Sequence, residues 1–166
     1  MRSVDDARVS LSSAKKEKGL LVIFTCNHCP YVKAWQGRTV PLANAALERG
    51  IGVIAINSND PKDHDEDSFD GMKKRAEEQG MRYPYVVDED SSMARAFGAD
   101  KTPEFFLLND RMELVYTGAI DDNAQAPDAV EKQFLKDALD ALVDGRPIPV
   151  AQTKALGCSI KFRKTS

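Results

Sequence analysis

Two continuous apolar runs, LLVIF at 20–24 and IGVIAIN at 51–57, most constrain how this chain folds. Neither alternates apolar with polar residues. Both faces of each strand must therefore be covered, as in the interior of a sheet with helices on either side. Between them, Val32, Trp35, Val40, Leu42, Ala46 and Leu47 recur at helical spacing. Pro30 suits the first turn of that helix, Pro41 is placed to kink it, and Gly50 to end it. A second helix, capped by Asp67 or Ser68, is predicted to run to about Gln79 and close at Gly80. YPYVVD (83–88) holds a short third strand, and SSMARAF (91–97) a short helix ended by Gly98. EFFLLN (104–109) and MELVYTG (112–118), joined by a turn at 109–111, read as a hairpin. Residues 128–143 read as a last helix, with Ala129, Phe134, Leu135, Ala138, Leu139 and Leu142 facing inward. VSL (9–11) reads as a short edge piece, and the tail ending GCSIKFRKTS carries no pattern that places it. The alternation predicts an α/β fold, with a central mixed β-sheet flanked by helices on both faces and an antiparallel edge. A length of 166 residues suits a single domain over 1–166.

A net charge of −3 leaves no basic footprint, so nucleic acid is not an expected partner. No apolar run approaches the roughly 20 residues that span a bilayer, so no membrane association is expected. The opening MRSVDDARVSLSS lacks the apolar core of a signal peptide, and a cytoplasmic location is expected. Three cysteines are too few for a secreted disulfide scaffold.

Two of those cysteines lie in TCNHCPYVK, residues 25–33, at the junction between the first apolar run and the helix opened by Pro30. The first turn of a helix offers unpaired N–H groups and the positive end of the dipole, and both stabilise a thiolate. Cys29 falls beside that turn, and Cys26 is close enough to close a small disulfide ring with it. His28, when protonated, would acidify both thiols. C-x-x-C in this setting favours redox chemistry. A structural zinc site needs four ligands. Cys26, Cys29, His28, Cys158 and the distant His64 include no second paired motif, so no metal is expected. Thr102-Pro103 precedes a strand, one of the few places where a cis peptide is used. There it would bring backbone groups against the thiols to hold an extended substrate. DPKDHDEDSFD (60–70) reads as a solvated, helix-capping loop. It fails as an EF-hand, with Ser68 at position six and Lys74 at position twelve. Trp35 reads as core or site rim.

FTCNHCPYVK, INSND (56–60), DSFDGMK (67–73), PYVVDED (84–90), ARAFGADKTPEFFLLN (94–109), YTGAIDDN (116–123) and GCSIKF (157–162) together resemble the thioredoxin-like superfamily. More narrowly, they resemble bacterial redoxin-domain proteins. The CNHCPYV and GCSIKF stretches are the specific ones. The resemblance implies a thioredoxin-like fold, a redox-active Cys26–Cys29 pair supported by Asn27, His28, Pro30 and Thr102, and a cis proline at Pro103. Members usually begin with a longer segment, so an N-terminal strand is expected to be missing. Thioredoxins also carry a buried acid in the strand before the motif. LLVIF has none, leaving His28, water or a group from elsewhere, with Glu104 as a guess.

Aligning the C-x-x-C motifs directly makes Cys26 the attacking thiol. Counting from the strand-ending aromatic Phe24, as in thioredoxin-like reductases, places Cys29 at the helix start, and helix position favours Cys29 as the more acidic thiol. Cys158 is a candidate third redox thiol or an inert buried residue. The reading is a thiol–disulfide oxidoreductase without bound organic cofactor. It would act on protein or small-molecule disulfides and draw electrons from a thiol protein. A thiol peroxidase with an antioxidant role ranks second, because no proline precedes Thr25 as peroxiredoxins require. A metal-binding module of the same fold ranks third.

Overall fold

The computed structural model describes residues 1–164. Strands β1 (Arg2–Ser3), β2 (Gly19–Phe24), β3 (Ile51–Asn57), β4 (Tyr85–Val87), β5 (Lys101–Thr102), β6 (Glu104–Asn109), β7 (Leu114–Gly118) and β8 (Cys158–Ser159) alternate with five helices. These are α1 (Leu11–Ala14), α2 (Pro30–Glu48), α3 (Phe69–Gln79), α4 (Ser92–Phe97) and α5 (Phe134–Asp144).

The two apolar runs, β2 and β3, are buried along their whole length. They lie side by side at the centre. Lys18 N–H donates to the Gly50 carbonyl at one end (3.0 Å) and Thr25 N–H to the Ile56 carbonyl at the other (2.9 Å). Both numbers rise together, so the two strands are parallel, joined by the α2 crossover. Outward from β3 come β4 and then β1, and outward from β2 come β6 and then β7. β4 is parallel to β3, while β1, β6 and β7 each run antiparallel to their inner neighbour. The sheet is therefore mixed, and antiparallel at both edges.

Successive side chains go to opposite faces. Leu21, Ile23, Val53 and Ala55 face α2, α3 and α5, meeting Trp35, Met72 and Leu139. Leu20, Val22, Phe24, Ile54 and Ile56 face Ala94 and Phe97 of α4, Leu11 of α1 and Ile160 of the tail. Burying one such side chain fully is worth roughly 1.5–3 kcal/mol, so these two strands anchor the positions of everything at their C-terminal ends.

Several boundaries differ from the sequence expectation. VSL is not an edge strand: Ser10 and Ser13 form a capping box and start α1. The last helix begins at Phe134 rather than 128, because 130–133 are held out of helical shape. Glu131 N–H donates to Asp122 Oδ1, and the Lys132 carbonyl accepts from Asp122 N–H. Arg2–Ser3 form a short edge strand by pairing with Val86–Val87. Pro41 is accommodated within α2. Among the described residues no helix is long and apolar enough to cross a membrane.

The tail is tied back to the body. Ile160 N–H donates to the Asp100 carbonyl (2.9 Å), and Lys161 N–H to Asn59 Oδ1 (2.7 Å). Arg163 N–H donates to Ser91 Oγ (2.8 Å). These bonds fix β8 antiparallel to β5, with Thr102 opposite Cys158.

Candidate active site

β2 ends at Phe24, and the chain turns through 25–29 into α2. Pro30 takes the first helical position, where its missing N–H leaves no donor stranded. Cys29 is the N-cap residue, with extended backbone (φ −68°, ψ 127°) and no side-chain capping hydrogen bond of its own. Its sulfur therefore lies at the positive end of a 19-residue helix. Cys26 and Cys29 are free thiols with 1% and 0% exposure, clustered with Val32. Thr102 touches both: its Oγ1 is 3.4 Å from Cys26 Sγ, and its carbonyl accepts from Cys29 Sγ at 3.4 Å. The Thr102–Pro103 peptide bond is cis.

The two residues between the cysteines have different jobs. Asn27 is a scaffold, 1% exposed and bonded on all sides. Its N–H donates to Asp67 Oδ1 (2.6 Å) and its Nδ2 to the Glu66 carbonyl (2.5 Å). Its Oδ1 accepts from Tyr85 (2.9 Å) and its carbonyl from Arg75 (3.2 Å). His28 reaches outward to Asp67, whose Oδ2 bonds its Nδ1, and stacks on His64 at 3.8 Å between ring centroids. One donor atom each of Cys26, His28 and Asp67 lies within 4.8 Å of the others.

That arrangement corrects the reading of 60–70 as a solvated loop. Asp67 is 1% exposed and supplies the buried acid that β2 lacks, from a segment distant in sequence. Ser68, not Asp67, caps α3, by accepting from Gly71 N–H at 3.1 Å. His64, set apart by the sequence, belongs to the site's rim. Glu104 does not serve the thiols: its carboxylate accepts from the N–H groups of Asp100 and Lys101. Trp35 is core, donating to Asp121 at 2.8 Å.

The surroundings separate the two thiols electrically. Cys29 is pulled down to about 4, first by the neighbouring Cys26 thiol and then by Cys158, the Val32 N–H and Thr102, against its burial. Cys26 is pushed well above the ordinary thiol value, first by that same partner, then by burial and the Asp67 carboxylate. The surroundings thus favour the thiolate at Cys29 and the thiol at Cys26. Such an arrangement can attack a disulfide and then resolve the product, with His28 and Asp67 beside the thiol that must lose its proton. Cys26, His28 and Asp67 also offer mixed sulfur, nitrogen and oxygen donors, short of the four protein ligands of a structural zinc site.

The edge of β5 is not open to a substrate strand, contrary to the expectation for the Thr102-Pro103 segment. β8 already pairs with it. Gly157 makes this approach possible, since a Cβ there would fall 2.0 Å from the Thr102 carbonyl oxygen. Cys158, half-buried, packs against the Cys26–Cys29 cluster. Its thiol is pushed up to about 11, first by burial and then by Cys29. The GCSIKF stretch was the sequence signal for this element, though nothing local in it says where it docks.

Residues 2–133 match the sequence model of the Redoxin family. Thiol-disulfide oxidoreductase ResA from Halalkalibacterium halodurans is 25% identical over 105 residues, covering 62% of this chain and 56% of that protein. The chain spans about half the length of the curated relatives it matches, 56% and 50%. The crystal structure of an uncharacterized conserved protein from Geobacillus kaustophilus superposes with a TM-score of 0.91 at 38% identity, covering 100% of this chain and 89% of the other. A thioredoxin-like protein solved in its oxidized form gives 0.68 at 16% identity, covering 84% and 87%, which shows the fold.

Proposed function

Because the chain belongs to the Redoxin family, with a thioredoxin-like fold, we propose that it is a thiol–disulfide oxidoreductase working through Cys26 and Cys29. The observation that carries this reading is the placement of two buried free thiols beside Thr102, with Cys29 as the N-cap residue of α2. The names of the curated relatives point the same way.

In the reductive direction the Cys29 thiolate attacks one sulfur of a disulfide and expels the other as a thiolate. Cys26 then attacks Cys29 Sγ, releasing the second half of the substrate and closing a Cys26–Cys29 bond. Its proton passes to His28, whose ring Asp67 holds in place. Asn27 and Thr102 keep the two sulfurs in register. Substrates are protein or small-molecule disulfides, electrons come from another thiol protein, and no organic cofactor takes part. A reducing compartment, the cytoplasm, suits a working dithiol. The peroxidase alternative would oxidise Cys29 with peroxide, and it ranks second because no proline precedes Thr25 in the stretch, as peroxiredoxins usually have.

The test is a redox titration in glutathione and dithiothreitol buffers, read by thiol trapping and mass mapping. A Cys26–Cys29 disulfide with a potential near roughly −270 mV marks a reductant, and one near roughly −120 mV an oxidant. Finding no such disulfide at any poise ends the reading.

A further inference from the structure

As folded, neither thiol of the pair presents a surface to solvent. Cys29 has 0% and Cys26 1% exposure. What stands over them is β8, paired with β5 so that Cys158 faces Thr102, the same residue whose carbonyl accepts from Cys29 Sγ. An incoming strand that added to β5 would occupy this position. The chain fills it with a segment of its own, and that segment carries a cysteine which is half-buried and packed on the pair. Gly157 lets its backbone come up to Thr102, and hydrogen bonds from Ile160, Lys161 and Arg163 fasten the segment on its far side.

We propose that Cys158 is the entry thiol of a three-sulfur relay, forming a disulfide with Cys29 and linking the sealed pair to substrates at the surface. This rests on the oxidoreductase reading and assigns its missing access route. Cys158, once deprotonated, attacks a substrate disulfide, bonding to one sulfur and expelling the other, which takes up a proton. The Cys29 thiolate attacks Cys158 Sγ, forming Cys29–Cys158 and releasing the second substrate thiol. Cys26 attacks Cys29 Sγ, closing Cys26–Cys29 and returning Cys158 to the thiol. One substrate disulfide is reduced by two electrons, and the dithiol of the pair is oxidised. The substrate class that fits is a compact disulfide, such as a low-molecular-weight one, because the edge that would grip an extended peptide is taken.

The experiment uses the full chain, reduced and then mixed with oxidised glutathione, with acid quenching and mass mapping. In Cys26→Ser the relay predicts an internal Cys29–Cys158 disulfide. In Cys158→Ser it predicts slower closure of Cys26–Cys29, by roughly tenfold or more, because a tethered thiol enjoys a millimolar effective concentration. Cys26→Ala repeats the first arm should the serine variant not fold. If Cys26→Ser keeps glutathione on Cys29 and Cys158→Ser oxidises at the wild-type rate, the relay is overturned and the Cys26–Cys29 reading stands. If no variant and not the wild type forms any internal disulfide, both fall.

Discussion

Cys26 and Cys29 are three residues apart and equally sealed from water, yet their protons are held very differently. Burial alone would raise both thiols. The difference comes from what each sulfur faces. Cys29 faces donors: the start of α2, the Cys26 thiol and Cys158. Cys26 faces a carboxylate, Asp67, and accepts little in return. The hydrogen-bonding partners, rather than depth, decide which sulfur carries charge. In the proposed reaction the pair divides a single task, with one atom prepared to attack and the other to wait for a base.

Replacing one sulfur at a time breaks this division most severely. Cys29→Ser is expected to lower disulfide reduction by roughly 10³-fold or more, as loss of a nucleophile does. Cys26→Ser should instead leave the first exchange intact, with product release from Cys29 diverted or stalled. Stopped-flow reduction of a chromogenic disulfide separates the two, and equal losses in both variants would erase the distinction.

Asp67→Asn attacks the waiting side alone. It removes the partner of His28, and loss of assisted proton transfer costs roughly 10²-fold in the release step. It also removes a negative charge that raises Cys26, which acts the other way. That charge ranks below the Cys29 interaction and burial among the causes, so slower release wins. Accumulation of a mixed disulfide, seen by mass, is the expected sign.

The attacking side is sharpened by titration. Below a pH of about 4 Cys29 is a thiol, and above it a thiolate. Its ultraviolet thiolate absorbance should therefore persist from neutral pH down to that region, where an ordinary thiol would already be protonated. Cys26→Ala removes the side chain whose hydrogen bond does most to lower Cys29. A hydrogen bond to a charged group is worth about 1.5–3 kcal/mol, so the step should move up by about one to two units. A step that stays in place would mean the helix start acts alone.

The smallest effect is at the cover. Gly157→Ala puts a methyl against backbone that cannot yield, at 2.0 Å from the Thr102 oxygen. If this makes opening of β8 easier by about 1 kcal/mol, labelling of Cys29 by iodoacetamide rises roughly fivefold. Unchanged labelling would show that β8 is not what shields it.

Much of this could be read from the chain. LLVIF, IGVIAIN and the C-x-x-C before Pro30 placed the sheet centre and the Cys29 cap, because strand burial and helix starts are local matters. Asp67 was not legible. A run of acids is ordinarily solvated, and only the N–H of Asn27 and the ring of His28, forty and thirty-nine residues away, make one of them worth burying. Cys158 was named as a candidate but not located. The partners that fasten its segment through Lys161, Ile160 and Arg163, namely Asn59, Asp100 and Ser91, come from three other segments, and no periodicity in GCSIKF reports them. The same holds for β1, whose two residues gain their place only by pairing with β4.

The sealing of the pair has a further consequence for durability. A thiolate is the form that oxidants carry on to sulfinic and sulfonic acids, from which recovery is rare or impossible. Here the sulfur that its surroundings favour as a thiolate is the one with no surface at all. The sulfur nearest to solvent, Cys158, is pushed up to about 11, away from the thiolate form that oxidants attack. Charge and exposure are thus assigned to different atoms, an arrangement that would shield the acidic sulfur from irreversible oxidation.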